Sequence, residues 1–595
     1  MAFSRFPLPL QRALAAAAAS IVLAIALPWL LAPLAAAQLR GKLRERGLEA
    51  RWDRLAFSWP LTLDVRGLSV NRTTSADPVV TARHVLVALG PRGLSLRPRV
   101  ARLVLEDAHV TLPASGGDEE GVATTAADEG PKGGPASPRV RAAAQQLADA
   151  LLLPARRLPE LRLSALQLQR GDSLFARLDA VTLTHRAEGL QFAATGMLSG
   201  ERAIPFDVTL RWDRDDRLVG RVGVRVPQNE RGWGVLALTI DGRITQDRRA
   251  GVLRVAQGTH VSVGRAEMKL SGEVARAGPR VRLALEVDGL TAHDVQRSLP
   301  RAVLGPLADL AVSGSWDWHA SLDVNVDEPD SARFTADVIP HGLQLGDSDA
   351  GLRLSRLSEP FQAEIHVPKG IVYRDLSPAN PGFRPIERIS PLLRNALLTN
   401  EDGGFYRHRG FNTEAIQLAM AANLRAGSFK RGAGTVTMQL ARNLFLGHRR
   451  TLSRKGQEVV LAWVLEHLTG LSKDRLLEIY LNIIEWGPDV HGAAEASRFY
   501  FDRDPADLTV DEALFLTVLV PSPSRWRTRV DAHGELRPWA RAQMAFIARK
   551  MADHGWLPPE QVPDANALQV TLRGAAARVL APADSTLPAR EAVHF

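Results

Sequence analysis

Acidic and basic side chains recur at short intervals in the C-terminal half of this sequence, and their types suit proton transfer and anion binding. Glu401 and Asp402 open a segment that reads E-D-x-x-F-x-x-H-x-G, and Arg454, Lys455 and Glu458 form R-K-x-x-E. A carboxylate can take the proton of an attacking hydroxyl. Arginine and lysine can hold phosphate oxygens. These residue types predict a general base near a cationic cluster.

Two further patterns accompany these segments, a glycine- and threonine-rich one and one that contains K-x-x-L-L-E-x-Y-L-N. Each pattern alone is short enough to arise by chance. Glu401 could equally be a helix cap, His408 a core histidine, and Arg454 with Lys455 a solvated helix face. The occurrence of all four patterns in this order makes coincidence improbable. Their members are Glu401, Asp402, Phe405, His408 and Gly410; Gly432, Gly434, Thr435, Thr437, Met438, Gln439, Arg442 and Asn443; Arg454, Lys455 and Glu458; and Lys473, Glu478, Tyr480, Leu481 and Asn482.

The four patterns resemble the motifs of family 51 glycosyltransferases, the peptidoglycan transglycosylases, and the resemblance covers roughly residues 371–550. It implies an all-α, lysozyme-like domain that joins a glycan on undecaprenyl pyrophosphate to the 4-hydroxyl of lipid II, with inversion. It implies Glu401 as the base, with a proton affinity raised by its neighbours. Glu458 would lie near the donor pyrophosphate and orient cations or a divalent metal, Mg²⁺ or Mn²⁺. No organic cofactor is implied.

The resemblance also implies roles for the remaining motif residues. Glu478, Tyr480 and Asn482 are expected to be structural. The expected partners are lipid II, the growing glycan strand, membrane lipids and other cell-wall synthesis proteins. Substrate or pyrophosphate binding is expected of Asp402, Phe405, His408, Thr435, Thr437, Gln439, Arg442, Asn443, Arg450, Arg454 and Lys455.

Helical spacing would place Arg450, Arg454 and Glu458 on one face, provided that the helix starts early enough. An exposed ladder of ion pairs has the same spacing. The glycine-rich motif departs from the family pattern, because Gly434 replaces a serine, Met438 a glutamine and Arg442 a lysine. Without this hydroxyl and this amide, two hydrogen bonds to substrate are lost, each worth about 1 kcal/mol net.

The hydrophobic period that predicts secondary structure changes along the chain, from that of strands to that of helices. Apolar residues recur with the helical period after residue 368, which predicts an all-α domain at 368–555 and a loosely docked, Ala- and Pro-rich tail at 556–595. Between the first two motifs, Leu418 and Phe429 alternate with basic residues. This mixture suits either the bilayer interface or an ordinary amphipathic helix.

Residues 45–367 show the period-two alternation of a large antiparallel β-rich domain, interrupted by a polar stretch at 113–138 that we expect to be a disordered loop. The pattern L-x-L-x-V-x-G-L occurs at 61–68 and again at 283–290, which is consistent with repeated strand-turn units. The region resembles AsmA-like proteins, whose curled sheets present an apolar groove to lipids. A spacer that lifts the C-terminal domain off the membrane is an equal alternative.

The N-terminal flank, residues 1–12, precedes an uncharged apolar run at 13–37 that exceeds the ~20 residues needed to span a bilayer. We interpret it as a single-pass transmembrane anchor rather than a cleaved signal peptide. The basic residues after the run outnumber those before it, which taken alone would place the body in the cytoplasm. Because lipid II is polymerised outside the cytoplasmic membrane, we expect the body on the periplasmic side.

Composition excludes several other classes. The 595 residues are too many for one core, and 45% hydrophobic with 23% charged residues is typical of a folded multidomain protein. The net charge of +9 favours anionic partners, but no nucleic-acid motif accompanies it. The absence of cysteine excludes disulfides and thiolate chemistry. No penicillin-binding transpeptidase motif occurs. A lysozyme-like glycan hydrolase and a non-catalytic lipid-handling scaffold remain the alternative functions.

Overall fold

The alternating and helical patterns appear as separate strand-rich and helical regions in the computed structural model. The structure describes residues 36–37, 39–58, 62–74, 77–92, 95–112, 134–152, 158–171, 173–199, 203–227, 232–346, 352–367, 370–447 and 452–580. The chain divides into two units: residues 1–118, 147–276 and 297–302, and residues 119–146, 277–296 and 303–595. Within the described ranges, no helix has the length and apolarity to span a membrane. The predicted anchor lies almost entirely outside these ranges.

The first unit is a sheet of long strands, as the period-two alternation predicts. From β3 to β13 each strand pairs with the next along the chain, while β1 and β2 both pair with β3. The pairs are antiparallel except β5 with β6, which are parallel and joined by a long crossover. The strands are β1 Leu48–Arg51, β2 Arg54–Ser58, β3 Thr62–Arg72, β4 Pro78–Arg92, β5 Ser95–Leu112, β6 Glu160–Arg170, β7 Ser173–Arg186, β8 Gly189–Leu198, β9 Ile204–Asp213, β10 Arg217–Pro227, β11 Trp233–Asp247, β12 Val252–Val263 and β13 Ala266–Ala275.

A small buried cluster lies within this sheet. Ala82, Ala108 and Leu166, on three neighbouring strands, form a buried cluster. Along β9 the side chains alternate between exposed and partly buried, so that one face is sheltered more than the other. The β-rich character is therefore confirmed, whereas the AsmA-like groove stays a prediction.

The two copies of the repeated pattern differ from the strand-turn units predicted for them. Gly67 lies inside β3 and Gly289 inside β14 (Arg280–Leu290), with left-handed φ values of +61° and +62°. A Cβ on Gly67 would lie 1.9 Å from Asp53 Oδ2, and the positive φ also favours glycine at this position. The pairing of β14 also shifts register between Val287 and Leu290. The pattern thus marks an irregularity within a continuous strand rather than a turn.

The second unit contains the helical domain together with several strands. The strands are β14 Arg280–Leu290, β15 Val312–Asn325, β16 Arg333–Leu345, β17 Phe361–Val367, β18 Gly370–Leu376, β19 Glu485–Gly487 and β20 Val490–His491. From residue 138 onward the helices are α1 Pro138–Leu151, α2 Ala292–Ser298, α3 Arg301–Leu304, α4 Pro391–Glu401, α5 Thr413–Ala426, α6 Val436–Phe445, α7 Leu452–His467, α8 Lys473–Ile483, α9 Ala493–Phe501, α10 Val510–Leu519, α11 Pro538–Asp553 and α12 Gly574–Leu580.

The predicted boundary at residue 368 divides a hairpin that belongs to the helical domain. β17 and β18 pair along their full length. Ala363 and Ile365 of β17 lie in the same buried cluster as Leu393 and Leu477. Period-two alternation predicts that β17 is a strand but cannot show which core the strand joins. The strand was therefore predicted, wrongly, to belong to the preceding sheet.

Two other predicted boundaries are also wrong. Leu568 and Ala576 are fully buried in the helical core, so the chain is firmly packed as far as α12 and is not a loose tail from residue 556. The predicted loop at 113–138 is too long at its C-terminal end, because Ala136 is 1% exposed and its N–H donates to Val326 O at 3.0 Å. Its residues 113–133 lie outside the described residues.

Candidate active site

Glu401 stands at the end of helix α4, whose limits follow from its sequence. Ser390 caps the first turn by accepting from Leu392 N at 3.3 Å, and Pro391 occupies the first helical position. The apolar residues Leu393 and Leu397 are fully buried in the core, each with 0% accessible surface. This packing fixes the axis of α4 and hence the position of the Glu401 carboxylate.

The Glu401 carboxylate is held by two amides. Gln439 Nε2 donates to Oε2 and Asn400 Nδ2 donates to Oε1, each at 2.8 Å, and Tyr480 Oη donates to Gln439 Oε1 at 3.0 Å. Burial raises the pKa of Glu401 above its ordinary value, while the two amides and the charge of Arg442 act in the opposite direction. The raised proton affinity agrees with the prediction, but desolvation is its main cause and most of the neighbours oppose it.

Asp402 connects the first two motifs. It is 6% exposed, and its carboxylate accepts from His408 Nε2 at 2.8 Å and from Val436 N at 3.1 Å. Val436 begins α6, so the carboxylate satisfies a free N–H at a helix N-terminus, where negative charge is favoured. Thr435 caps the same helix by accepting from Met438 N at 3.2 Å. Asp402 therefore fixes the start of α6 relative to Glu401.

The predicted cationic cluster lies at the start of α7. Glu458 is 3% exposed and accepts hydrogen bonds from both Arg454 and Lys455, the latter at 2.9 Å. The Lys455 side chain is half-exposed, and its Nζ lies 3.4 Å from where a Cβ on Gly434 would be. The absence of a side chain at Gly434 thus leaves space beside the ammonium group. Arg450, which precedes α7, lies outside the described residues.

Several residues expected to bind substrate are instead part of the domain interior. Phe405 is 1% exposed and lies 4.2 Å below the Lys473 ammonium group, and Lys473 pairs with Glu466 at 2.6 Å. Thr437 is fully buried and donates to Glu466. Asn443 is 9% exposed. Their contacts position α6 and α8, and sequence alone did not separate these contacts from contacts with substrate.

The last motif anchors the segment that leads into α4. Glu478 accepts from Ile386 N at 2.8 Å. Asn482 accepts from Arg384 N at 2.9 Å through Oδ1 and donates to Arg384 O at 2.8 Å through Nδ2. Tyr480 is fully buried and reaches Gln439, as described above. All three side chains therefore make hydrogen bonds inside the domain, and their structural role stays a prediction.

A cleft of about 580 Å³ brings the acidic and basic groups to one surface. Of the predicted site residues, the cleft is lined by Glu401, Asp402, Thr435, Gln439, Arg442, Lys455 and Glu458. Those that do not line it are Phe405, His408, Thr437, Asn443, Arg454, Glu478, Tyr480 and Asn482. Glu401 and the two cations Arg442 and Lys455 thus share one solvent-accessible cavity.

Sequence reasoning missed a wall of the cleft formed by α11 and the residue that follows it. Phe546, Lys550 and His554 line the cleft there. Their spacing of four residues places them on one helix face, a signal that the sequence does contain. It was not recognised because the family motifs end before α11.

A protein-held divalent cation does not fit this donor set. Both Glu458 oxygens already accept from cationic side chains. Within the described residues, no three His, Asp or Glu side chains form a group that could hold a metal ion. The catalytic steps proposed for this site therefore involve neither Mg²⁺ nor Mn²⁺.

Helix α5 and the loop after it form the rim of the cleft. Leu418 is 44% exposed and Phe429 is 69% exposed, and both line the cleft. Ala419 and Ala421 of the same helix are buried. The helix therefore has one side in the core and presents large apolar side chains at the cleft mouth, while contact of these side chains with a bilayer stays a prediction.

Comparison with known proteins gives a match over the helical domain. Residues 371–552 match the family described as Transglycosylase. A biosynthetic peptidoglycan transglycosylase of Alcanivorax borkumensis is 38% identical over 187 residues, which are 31% of this chain and 75% of that protein. The protein of the same name from Acinetobacter baylyi is 39% identical over 150 residues, 25% of this chain and 66% of that protein. That from Thiobacillus denitrificans is 44% identical over 142 residues, 24% and 60% respectively.

Proposed function

This chain belongs to the biosynthetic peptidoglycan transglycosylase family and is a glycosyltransferase, and we propose that it polymerises lipid II into glycan strands with Glu401 as the general base. One observation carries the proposal. The Glu401 carboxylate, with a pKa raised by burial, opens into the same cleft as Arg442 and Lys455. A proton acceptor and a pair of cations in one cavity are what transfer from a pyrophosphate donor requires.

This arrangement supports an inverting transfer to the acceptor hydroxyl. The 4-hydroxyl of the acceptor lipid II attacks C1 of the donor sugar, and its proton passes to Glu401. The new C1–O4 bond forms as the bond from C1 to the pyrophosphate oxygen breaks, and the configuration at C1 inverts. Undecaprenyl pyrophosphate leaves with the electron pair, and Lys455 and Arg442 stabilise its charge. Gln439 and Asn400 keep the carboxylate oriented toward the cleft.

Glu458 has a different role in this proposal. Its carboxylate accepts hydrogen bonds from Arg454 and Lys455 and orients the Lys455 ammonium group toward the cleft, so it acts on the leaving group rather than on the attacking hydroxyl. Gly434 leaves the Lys455 ammonium group accessible where the family pattern has a serine. Lys455 then takes over part of the anion binding that the missing hydroxyl would supply.

The catalytic domain would work at the outer surface of the cytoplasmic membrane, with the polymer-bound lipid tails left in the bilayer. The exposed Leu418 and Phe429 at the cleft mouth support this placement, because apolar side chains beside basic ones suit the bilayer interface. The residue 13–37 segment would be the anchor. Protease added to intact spheroplasts should digest the body of the chain, whereas full protection would place it in the cytoplasm.

The activity is tested with the full-length chain in detergent. Incubation with labelled lipid II should give glycan chains that a muramidase cleaves, together with undecaprenyl pyrophosphate. Release of soluble fragments from purified cell wall, without polymer from lipid II, would favour the hydrolase. Binding of lipid II with neither product would favour the scaffold.

A further inference from the structure

The glycine-rich motif is carried by a loop that depends on the C-terminal end of α5. Asn423 Oδ1 accepts from Lys430 N at 2.7 Å and from Arg431 N at 2.9 Å, and its Nδ2 donates to Arg431 O at 2.9 Å. The loop continues through Gly432 and Gly434 into α6, and these residues line the cleft. A displacement of Asn423 would therefore move the backbone that faces Lys455.

Helix α5 is also fastened to strands that precede the transglycosylase match. We define the strand platform as β15, β16 and the 3-10 helix Pro329–Ser331 between them. Gln417 Nε2 donates to Phe334 O of β16 at 2.9 Å. Arg425 pairs with Asp330 of the 3-10 helix, and the Arg425 side chain is only 18% exposed. Both contacts join α5 to the strand platform.

A short segment before α1 supplies a third attachment. We call residues 134–137 the strap. Ser137 N donates to Leu424 O at 3.1 Å, and Ala136 N donates at 3.0 Å to the carbonyl oxygen of Val326, the residue directly after β15. Gly427, with φ of +65°, ends α5 against the strap, because a Cβ there would lie 2.4 Å from Ser137 Oγ. The strap thus bridges α5 and the strand platform.

From these contacts we propose that Arg425 and Asp330 are positioning residues for substrate binding, acting through α5 and Asn423 on the glycine-rich loop. The strand platform then holds one wall of the transglycosylase cleft and is more than a spacer. The wall lies against the cations that bind the donor pyrophosphate, so loosening it weakens lipid II binding more than it slows the chemical step. This inference rests on the proposed function for its kinetic consequence, but its structural consequence does not.

The test compares Arg425→Gln, the charge swap Arg425→Asp with Asp330→Arg, and the wild type, all as full-length chains. Arg425→Gln should raise the KM for lipid II about fivefold, with kcat changed less than about twofold. The expected change is modest because a partly buried ion pair contributes only a modest interaction energy to holding the glycine-rich loop in place. The charge swap should recover most of the lost KM. A matched control is Arg374→Gln, which breaks the Arg374–Glu495 pair outside the cleft lining and should leave KM unchanged.

Hydrogen exchange gives a readout that does not need activity. Amides at 428–434 should exchange faster in Arg425→Gln than in the wild type and the Arg374→Gln control, and the charge swap should restore slow exchange. Unchanged KM and unchanged exchange in Arg425→Gln would overturn the proposal, and so would a charge swap no better than the single variant. If the wild type makes no polymer, the proposed function fails, while the exchange data still decide whether the strand platform positions the loop.

Discussion

Replacement of Gln439 by leucine should shift the pH dependence of polymerisation. Gln439 donates to the Glu401 carboxylate at 2.8 Å and so opposes the rise in pKa that burial causes. Removing this donor takes away one of the groups that oppose the effect of burial, so the pKa of Glu401 must rise further. A general base is active only when ionised, so activity will be lost at a higher pH as the solution is acidified.

The size of the shift follows from the hydrogen bond. A bond to a charged group contributes about 1.5–3 kcal/mol, and one pH unit corresponds to about 1.4 kcal/mol, so the acid limb of kcat/KM should move up by about one to two pH units. At pH values below the acid limb of the wild type the variant should therefore be at least about tenfold slower, while at pH values well above both limbs the difference should disappear. Initial rates with labelled lipid II between pH 5 and pH 9 measure this directly.

The control addresses stability. Gln439→Leu leaves the buried Tyr480 hydroxyl without its acceptor, which costs about 1–3 kcal/mol. The double variant Gln439→Leu with Tyr480→Phe removes that hydroxyl as well, and should melt at a higher temperature than the single variant while keeping the shifted pH profile. An acid limb that stays in place or moves to lower pH would show that Gln439 does not tune Glu401.

Three further substitutions test other parts of the account. Met438→Gln should leave kcat/KM within about tenfold of the wild type, because one amide at the cleft wall is a modest contribution beside the base and the cations. A gain of several hundredfold would instead show that methionine at this position severely limits the activity of the natural protein. Leu568→Ala should destabilise the helical domain by about 2–5 kcal/mol in denaturant unfolding, since Leu568 is fully buried, whereas Val579→Ala, at a residue 42% exposed, should change little. Glu458→Gln should raise the KM for lipid II as well as lower kcat, because Lys455 loses its charged partner.

Some residues that line the cleft were easier to predict from sequence than the domain boundaries. Glu401, Lys455 and Glu458, which line it, were predicted as site residues because their spacing within short motifs is local information, while their roles in the reaction stay predictions. The same motifs could not separate residues that face the cleft from residues that build it, so Thr437 was expected to touch substrate although its hydroxyl is used inside the domain. Side-chain direction depends on packing between elements, which no single segment encodes.

Long-range packing also explains the wrong boundaries. Alternation predicted β17 as a strand, but its core partners lie in helices that follow it in the chain. The Ala- and Pro-rich composition after residue 556 suggested weak packing, yet Leu568 fills the core from a segment without regular structure. The attachment of α5 to the strand platform was equally invisible, because Arg425 and Asp330 are far apart in sequence and neither belongs to a motif.

The most direct test of the proposed mechanism is the polymerisation rate of Glu401→Gln with saturating lipid II. The amide keeps the shape of the side chain but cannot accept the proton, so turnover should fall by at least ~10²-fold while lipid II still binds. Because the pKa of Glu401 is raised by burial, the folded state disfavours the ionised carboxylate at neutral pH, and the uncharged variant should melt no lower than the wild type there. Polymerisation at close to the wild-type rate by a folded Glu401→Gln protein would contradict the assignment of the base and the mechanism built on it.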